Sequence, residues 1–132
     1  GYITQEPFLM NETIRENLHY GKTSASDAEL LKACKMAYID DFINSLPDGL
    51  DTIIGERGIR LSGGQKQRLV LARMFLRGPS LYIFDEATSS LDQHNEQLIQ
   101  KIIGDLCTDK TIIIVAHRKS SLSLCTKFIR MN

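Results

Sequence analysis

Polar and apolar positions alternate in two different rhythms along the chain. Between Asn11 and Leu46 the rhythm is helical. Asn11 is placed to cap a short helix running from Glu12 to about Leu18. Ser26-Asp27-Ala28-Glu29 has the S-x-x-E spacing of a capping box, in which hydroxyl and carboxylate each take an orphan backbone donor, and Leu30, Leu31, Cys34 and Ala37 keep a helical period behind it. Another short helix, Asp40 to Leu46, is predicted to stop at Pro47-Asp48-Gly49. Ahead of this layer, residues 1–4 read as a strand end. Gln5-Glu6-Pro7 reads as a loop, because Pro7 lacks a backbone donor and pushes its predecessor out of helical geometry.

Residues 48–64 hold five of the nine glycines and form a connector that ends at Leu61-Ser62-Gly63-Gly64. A strong helix is predicted from about Gly64 to Arg77, where Leu69, Val70, Ala72, Arg73 and Leu76 place an apolar face against a neighbour, and Gly78-Pro79 supplies the stop. The rhythm then becomes strand, helix, strand. Leu81 to Phe84 and Thr111 to Ala116 are short apolar runs that read as buried parallel strands. Between them Gln93 to Cys107 is amphipathic, with Leu98, Ile99, Ile102, Ile103 and Leu106 on one side. A last short helix and a strand from Lys127 to Met131 complete a βαβαβ pattern, which predicts a parallel α/β sheet beside an α-helical layer.

Composition narrows the picture only modestly. A length of 132 residues with 42% hydrophobic content supports one core. Lys plus Arg equals Asp plus Glu at 16 each, so no net field draws the chain to nucleic acid or an anionic membrane. Cys34, Cys107 and Cys125 are odd in number and widely spaced, which argues against a disulfide framework or a zinc site and fits a reducing compartment. Cys34 and Cys107, on apolar helix faces, are expected in the core. No apolar run is long enough to cross a bilayer as a helix. The opening Gly1-Tyr2-Ile3-Thr4, without an initiator Met or a preceding turn, is what a fragment would present.

Two clusters carry candidate chemistry. An apolar strand closing on Asp85-Glu86 has the form of a Mg-nucleotide site, in which Asp85 holds the metal and Glu86, facing another way, orients a water. Solvated strand ends would look the same in isolation. Leu61-Ser62-Gly63-Gly64-Gln65 places two glycines and a hydroxyl at a helix start, where free N–H groups and the helix dipole favour an anion. An ordinary N-cap at Ser62 is the alternative.

Order and spacing join these parts. Gln5 in a loop, a helical layer, LSGGQ at 61–65, the strand ending in Asp85-Glu86, Ser89-Ser90-Leu91-Asp92, and His117 after an Ile-rich strand together resemble the nucleotide-binding domain of ATP-binding-cassette (ABC) transporters, of exporter type, from the Q-loop to the switch histidine. The resemblance implies an incomplete P-loop NTPase (RecA-like) sheet with an α-helical subdomain, and ATP and Mg2+ as cofactors. It implies that Gln5 is the Q-loop glutamine contacting metal and attacking water. Leu61, Ser62, Gly63, Gly64 and Gln65 would be the signature motif, Asp85 the Walker B aspartate, Glu86 the catalytic carboxylate, Asp92 part of the D-loop and His117 the γ-phosphate sensor. It also implies a second nucleotide-binding domain as partner, coupling helices of a transmembrane domain reached through Phe8, Leu9 and the Gly55-Glu56-Arg57-Gly58 segment, no nucleic acid, and a place on the cytoplasmic face of a membrane. The implied layout is a core strand end at 1–4, the Q-loop, helical subdomain and signature helix at 5–78, and the Walker B core at 79–132.

No GxxxxGK[ST] loop occurs among these residues. Gly21-Lys22-Thr23 is rejected, because the required first glycine would fall on Glu16 and the flanks are helical. The 132-residue chain by itself is therefore expected to show no saturable site for a fluorescent Mg-ATP analogue below millimolar, and micromolar binding would refute this. A soluble ABC ATPase of DNA maintenance or translation would carry a heptad-bearing insertion or a basic face between Gln5 and Leu61, and neither is present. A catalytically dead truncated fragment is the third reading.

Overall fold

Capping chemistry sets the helical layer. A computed structural model describes residues 1–131. In it Thr13 accepts from the Glu16 amide while the Glu16 carboxylate accepts from the Thr13 amide, so helix α1 spans Ile14–His19. This start is later than an Asn11 cap predicts, because the T-x-x-E pair satisfies two orphan donors where Asn11 would satisfy one. The chain bends at Asn11 and Glu12 and bridges the connector at Thr13: the Ile14 amide donates to the Thr52 carbonyl and the Ile54 amide to the Glu12 carbonyl, each at 3.0 Å. Helix α2, Asp27–Met36, begins on the expected Ser26–Glu29 capping box. Lys22 pairs with Glu29 at 2.5 Å and sits in a turn between two helices, as expected of a segment that is not a phosphate loop.

The Lys22 ammonium, then the Ser26 amide, hold Glu29 below the ordinary carboxylate range, and the Thr13 amide does the same for Glu16. Both folded values are lowered, so the stability these boxes contribute is present above the unfolded carboxylate pKa and is lost as the pH falls through the folded values.

Helix α3 spans Asp40–Ser45, and a 3-10 turn at Gly49–Asp51 leads into the connector. Helix α4 spans Gly63–Arg77 and ends as its sequence predicts: Gly78 is left-handed at φ 66° and its amide donates to the Met74 carbonyl at 3.0 Å. One core joins the layers, with Ile14, Leu18, Leu30 and Ile43 of the helical layer packed with Leu69 and Leu71 of α4 and with Tyr82 and Phe84 of the sheet.

The sheet has three parallel strands in the order β1 (Tyr2–Ile3), β2 (Leu81–Asp85), β3 (Thr111–Val115), with Ile3 beside Phe84 and Asp85 beside Val115. Helix α5, Gln93–Leu106, buries Ile99, Ile102, Ile103 and Leu106 and packs on β3. The sheet therefore differs from the expectation of strands buried on both faces. Ile113 is 48% and Val115 46% exposed, because α5 covers only one face and both residues point to the other. Lys127 to Met131 is not a strand either, and Phe128, Ile129 and Met131 lie exposed. Apolar residues such as Phe128 and Ile129 permit a strand, but pairing requires a neighbouring backbone that local pattern cannot supply.

Cysteine placement is split. Cys34 is buried as expected, and desolvation pushes its thiol up to about 12. Cys107 is exposed, contrary to expectation, because α5 ends at Leu106 and leaves Cys107 as its C-cap. A thiolate-directed maleimide at neutral pH is expected to modify Cys107 and spare Cys34 until the chain unfolds, as read by mass spectrometry of the labelled peptides. Labelling of Cys34 in the native state would contradict the placement.

Candidate functional site

Because the three strands run parallel, their carboxyl ends gather at one edge, the edge at which open α/β sheets place ligands. Gln5 follows β1 in an exposed bend, Asp85 closes β2, and His117 follows β3. Glu86 is the residue on which the edge turns. Its φ of 51° is left-handed, a conformation that costs a non-glycine residue roughly 1–2 kcal/mol. The turn is held from three sides: the Glu86 amide donates to the Val115 carbonyl at 2.8 Å, while the Ser89 amide and Oγ both donate to the Glu86 carbonyl at 3.1 and 2.9 Å. It sends the Glu86 carboxylate to His117, whose Nε2 lies 2.7 Å from Oε1. Strand alternation was the expected reason for the two acids to diverge; a left-handed residue is what separates them.

Asp85 points elsewhere. Tyr2, across the β1–β2 pair, donates its hydroxyl to Asp85 Oδ2 at 2.5 Å, and this bond, with burial and the carboxylate charge, raises the phenol above its ordinary value.

At the start of α4 the N-cap at Ser62 is formed as a capping box with Gln65. Ser62 Oγ accepts from the Gln65 amide at 3.2 Å, and Gln65 Oε1 accepts from the Ser62 amide at 2.9 Å. The cap uses the amide of the third helical residue. Among the described residues the amides of Gly63 and Gly64 and the hydroxyl hydrogen of Ser62 have no acceptor. Leu61 is buried and anchors the turn.

This helix start is welded to the segment after β2. A Cβ on Gly64 would stand 2.1 Å from Asn95 Oδ1, so only glycine permits the close approach. Asn95 is itself fixed, with its amide nitrogen donating to both Asp92 carboxylate oxygens at 3.1 and 3.0 Å and its Oδ1 accepting from Arg68 at 3.3 Å. Arg68 also donates to the Tyr38 carbonyl at 2.5 Å. Asp92 caps α5, and the Asn95 amide, at 2.8 Å, is the main cause of its lowered pKa. Gln67, fully buried in α4, donates to the Ala87 carbonyl directly after the acidic pair.

The fold thus brings Glu86 and His117 into contact and sets Asp85 and Gln5 at the same sheet edge, while Gly64 packs against Asn95 of the helix that Asp92 caps. Sequence reasoning missed Tyr2, Gln67, Asn95 and Arg118, whose guanidinium donates to the Ser89 carbonyl at 2.9 Å. A detectable signal existed for Gln67, a polar residue inside an apolar helical stripe. None existed for Tyr2, whose partner is 83 residues away.

The ABC transporter family matches residues 1–89. The chain is 48% identical over 122 residues to the uncharacterized ABC transporter ATP-binding protein YwjA of Bacillus subtilis (strain 168), covering 92% of this chain and 21% of that protein. It is 47% identical over 129 residues to a Staphylococcus aureus (strain NCTC 8325 / PS 47) ATP-binding/permease protein whose name assigns it provisionally to multidrug export, covering 98% of this chain and 22% of the relative. Among solved structures, a bacterial Atm1-family ABC exporter with ATP bound superposes with a TM-score of 0.81 at 44% identity, covering 94% of this chain and 22% of that one. The chain therefore spans about a fifth of the length of the curated relatives it matches.

Proposed function

Because the chain belongs to the ABC transporter family, we propose that it is the Q-loop-to-switch-histidine part of a nucleotide-binding domain that hydrolyses ATP to power an exporter. The observation that carries this reading is the 2.7 Å contact between Glu86 and His117 at the carboxyl edge of the sheet, beside Asp85. A carboxylate paired with an imidazole can hold a water and take its proton as the water attacks a γ-phosphate, and the imidazole can then donate to a phosphate oxygen as charge develops there. Gln5, at the same edge, would contact that water.

Asp85 fits a magnesium ion by its chemistry. Among the described residues no group of three or more His, Cys, Asp or Glu is gathered. Mg2+ commonly takes one or two carboxylates, with phosphate oxygens and water in its other positions. Asp85 and Gln5 would hold it, and when bound it would neutralise charge on the phosphates.

The free amides of Gly63 and Gly64, with the Ser62 hydroxyl, suit a phosphate presented from outside this chain, which supports a composite site shared with a second nucleotide-binding domain. Asp92 and the segment from Ser89, packed beside that turn, would lie at the same seam. For coupling, Phe8 is 71% and Ile53 50% exposed, and the Thr13 and Ile53 backbones are bridged, so the residues after the Q-loop and the connector form one surface. We assign that surface to the coupling helices of a transmembrane domain, with the site on the cytoplasmic face of the membrane. Residues 1–4 would then be core, 5–78 the Q-loop, helical subdomain and signature helix, and 79–132 the Walker B core.

Phosphate release from ATP by the full-length protein in a bilayer, with and without Glu86→Gln, tests the reading. Release that continues unchanged in the variant would remove Glu86 from its role and take the assignment with it.

A further inference from the structure

Two adjacent carboxylates serve different purposes only if each is held in its own direction. Glu86 is held by His117 and by its left-handed backbone. Asp85 has no such turn, and its side chain would be free to rotate at the strand end but for Tyr2. The register explains how Tyr2 reaches it. Tyr2 stands opposite Ile83 in a parallel pair, so it points to the same face as Ile83 and Asp85, with Asp85 two residues farther on. That diagonal is within the span of an aromatic side chain and its hydroxyl.

We propose that Tyr2 is a positioning residue for the metal-holding carboxylate, its hydroxyl fixing Asp85 Oδ2 so that Oδ1 is presented to the cation. This rests on the reading of Asp85 as the Mg2+ ligand. The chemistry of the partner matters. A lysine or arginine at this place would fix the carboxylate equally well but would cancel the charge that draws the cation. A phenol is a neutral donor that orients one oxygen and leaves the full negative charge on the group. The half-exposed ring of Tyr2 has no comparable polar partner other than Asp85 among the described residues.

The test uses the full-length protein with Mn2+ as the probe, its free concentration read by electron paramagnetic resonance in the presence of a non-hydrolysable ATP analogue. Tyr2→Phe keeps the ring and removes only the donor. The expected result is a Mn2+ dissociation constant raised about tenfold, at the lower end of the losses seen when an outer partner of a ligand is removed, with nucleotide affinity in EDTA unchanged. Asp85→Asn runs in parallel. If Asp85→Asn weakens Mn2+ and Tyr2→Phe does not, the positioning role is overturned while the site reading stands. If Asp85→Asn leaves Mn2+ binding intact, the site reading itself falls. A Tyr2→Phe protein that loses nucleotide affinity in EDTA as well would show a packing role and overturn the proposal.

Discussion

Glu86→Gln in the full-length protein is expected to lower ATP turnover by about 10²- to 10⁴-fold, the range general-base groups supply, and to leave ATP binding intact. The amide is isosteric, so the left-handed turn at φ 51°, held by Val115 and Ser89 through backbone groups and a serine hydroxyl, has no reason to change. What changes is chemistry at one atom. Glutamine can still meet His117, but it cannot accept a proton from water as that water attacks. A parallel measurement of nucleotide affinity separates the two effects: lost affinity together with lost turnover would point to a damaged site, and full turnover would end the proposed role.

Gly64→Ala is expected to destabilise the domain by roughly 1–3 kcal/mol, the cost of overpacking, and to slow turnover. Helix propensity alone argues the other way, since alanine is favoured over glycine by about 1 kcal/mol inside a helix. Sterics decide the sign, because the new Cβ would sit 2.1 Å from Asn95 Oδ1 and Cγ. Asn95 cannot simply swing aside, because Asp92 and Arg68 hold its two ends. Asn95→Ala removes the obstacle, so the pair forms a double-mutant cycle. In the Asn95→Ala background, Gly64→Ala should cost little stability in thermal unfolding. If the proposed phosphate role of this helix start holds, turnover should stay at least about tenfold low, because a methyl group would still stand beside its amides. An unchanged melting temperature in the single variant would refute the packing account; turnover fully restored in the double variant would refute the phosphate-facing one.

Both predictions turn on contacts that no window of sequence contains. Much of the helical pattern was legible because the S-x-x-E motif of α2, the Gly78-Pro79 stop and the period of α5 are local, and each acts within a few residues of itself. The acidic pair and the glycine pair were legible as residue types in a family's order. Their working geometry was not. Asn11 lost the cap of α1 to Thr13, β3 proved half-exposed, residues 127–131 formed no strand, and Cys107 came out at the surface.

The sequence by itself determined most of the helices, the apolar strands before Glu86 and before His117, and their parallel direction, since these follow from backbone preference and from hydrophobic period. Only the tertiary structure decided that Glu86 turns to His117 while Asp85 turns to Tyr2, and that Gly64 must be bare because Asn95 is pinned against it. Those outcomes depend on pairs of groups brought together from 27 to 83 residues apart. Such contacts form only when the whole core closes, and local energetics carry no record of them.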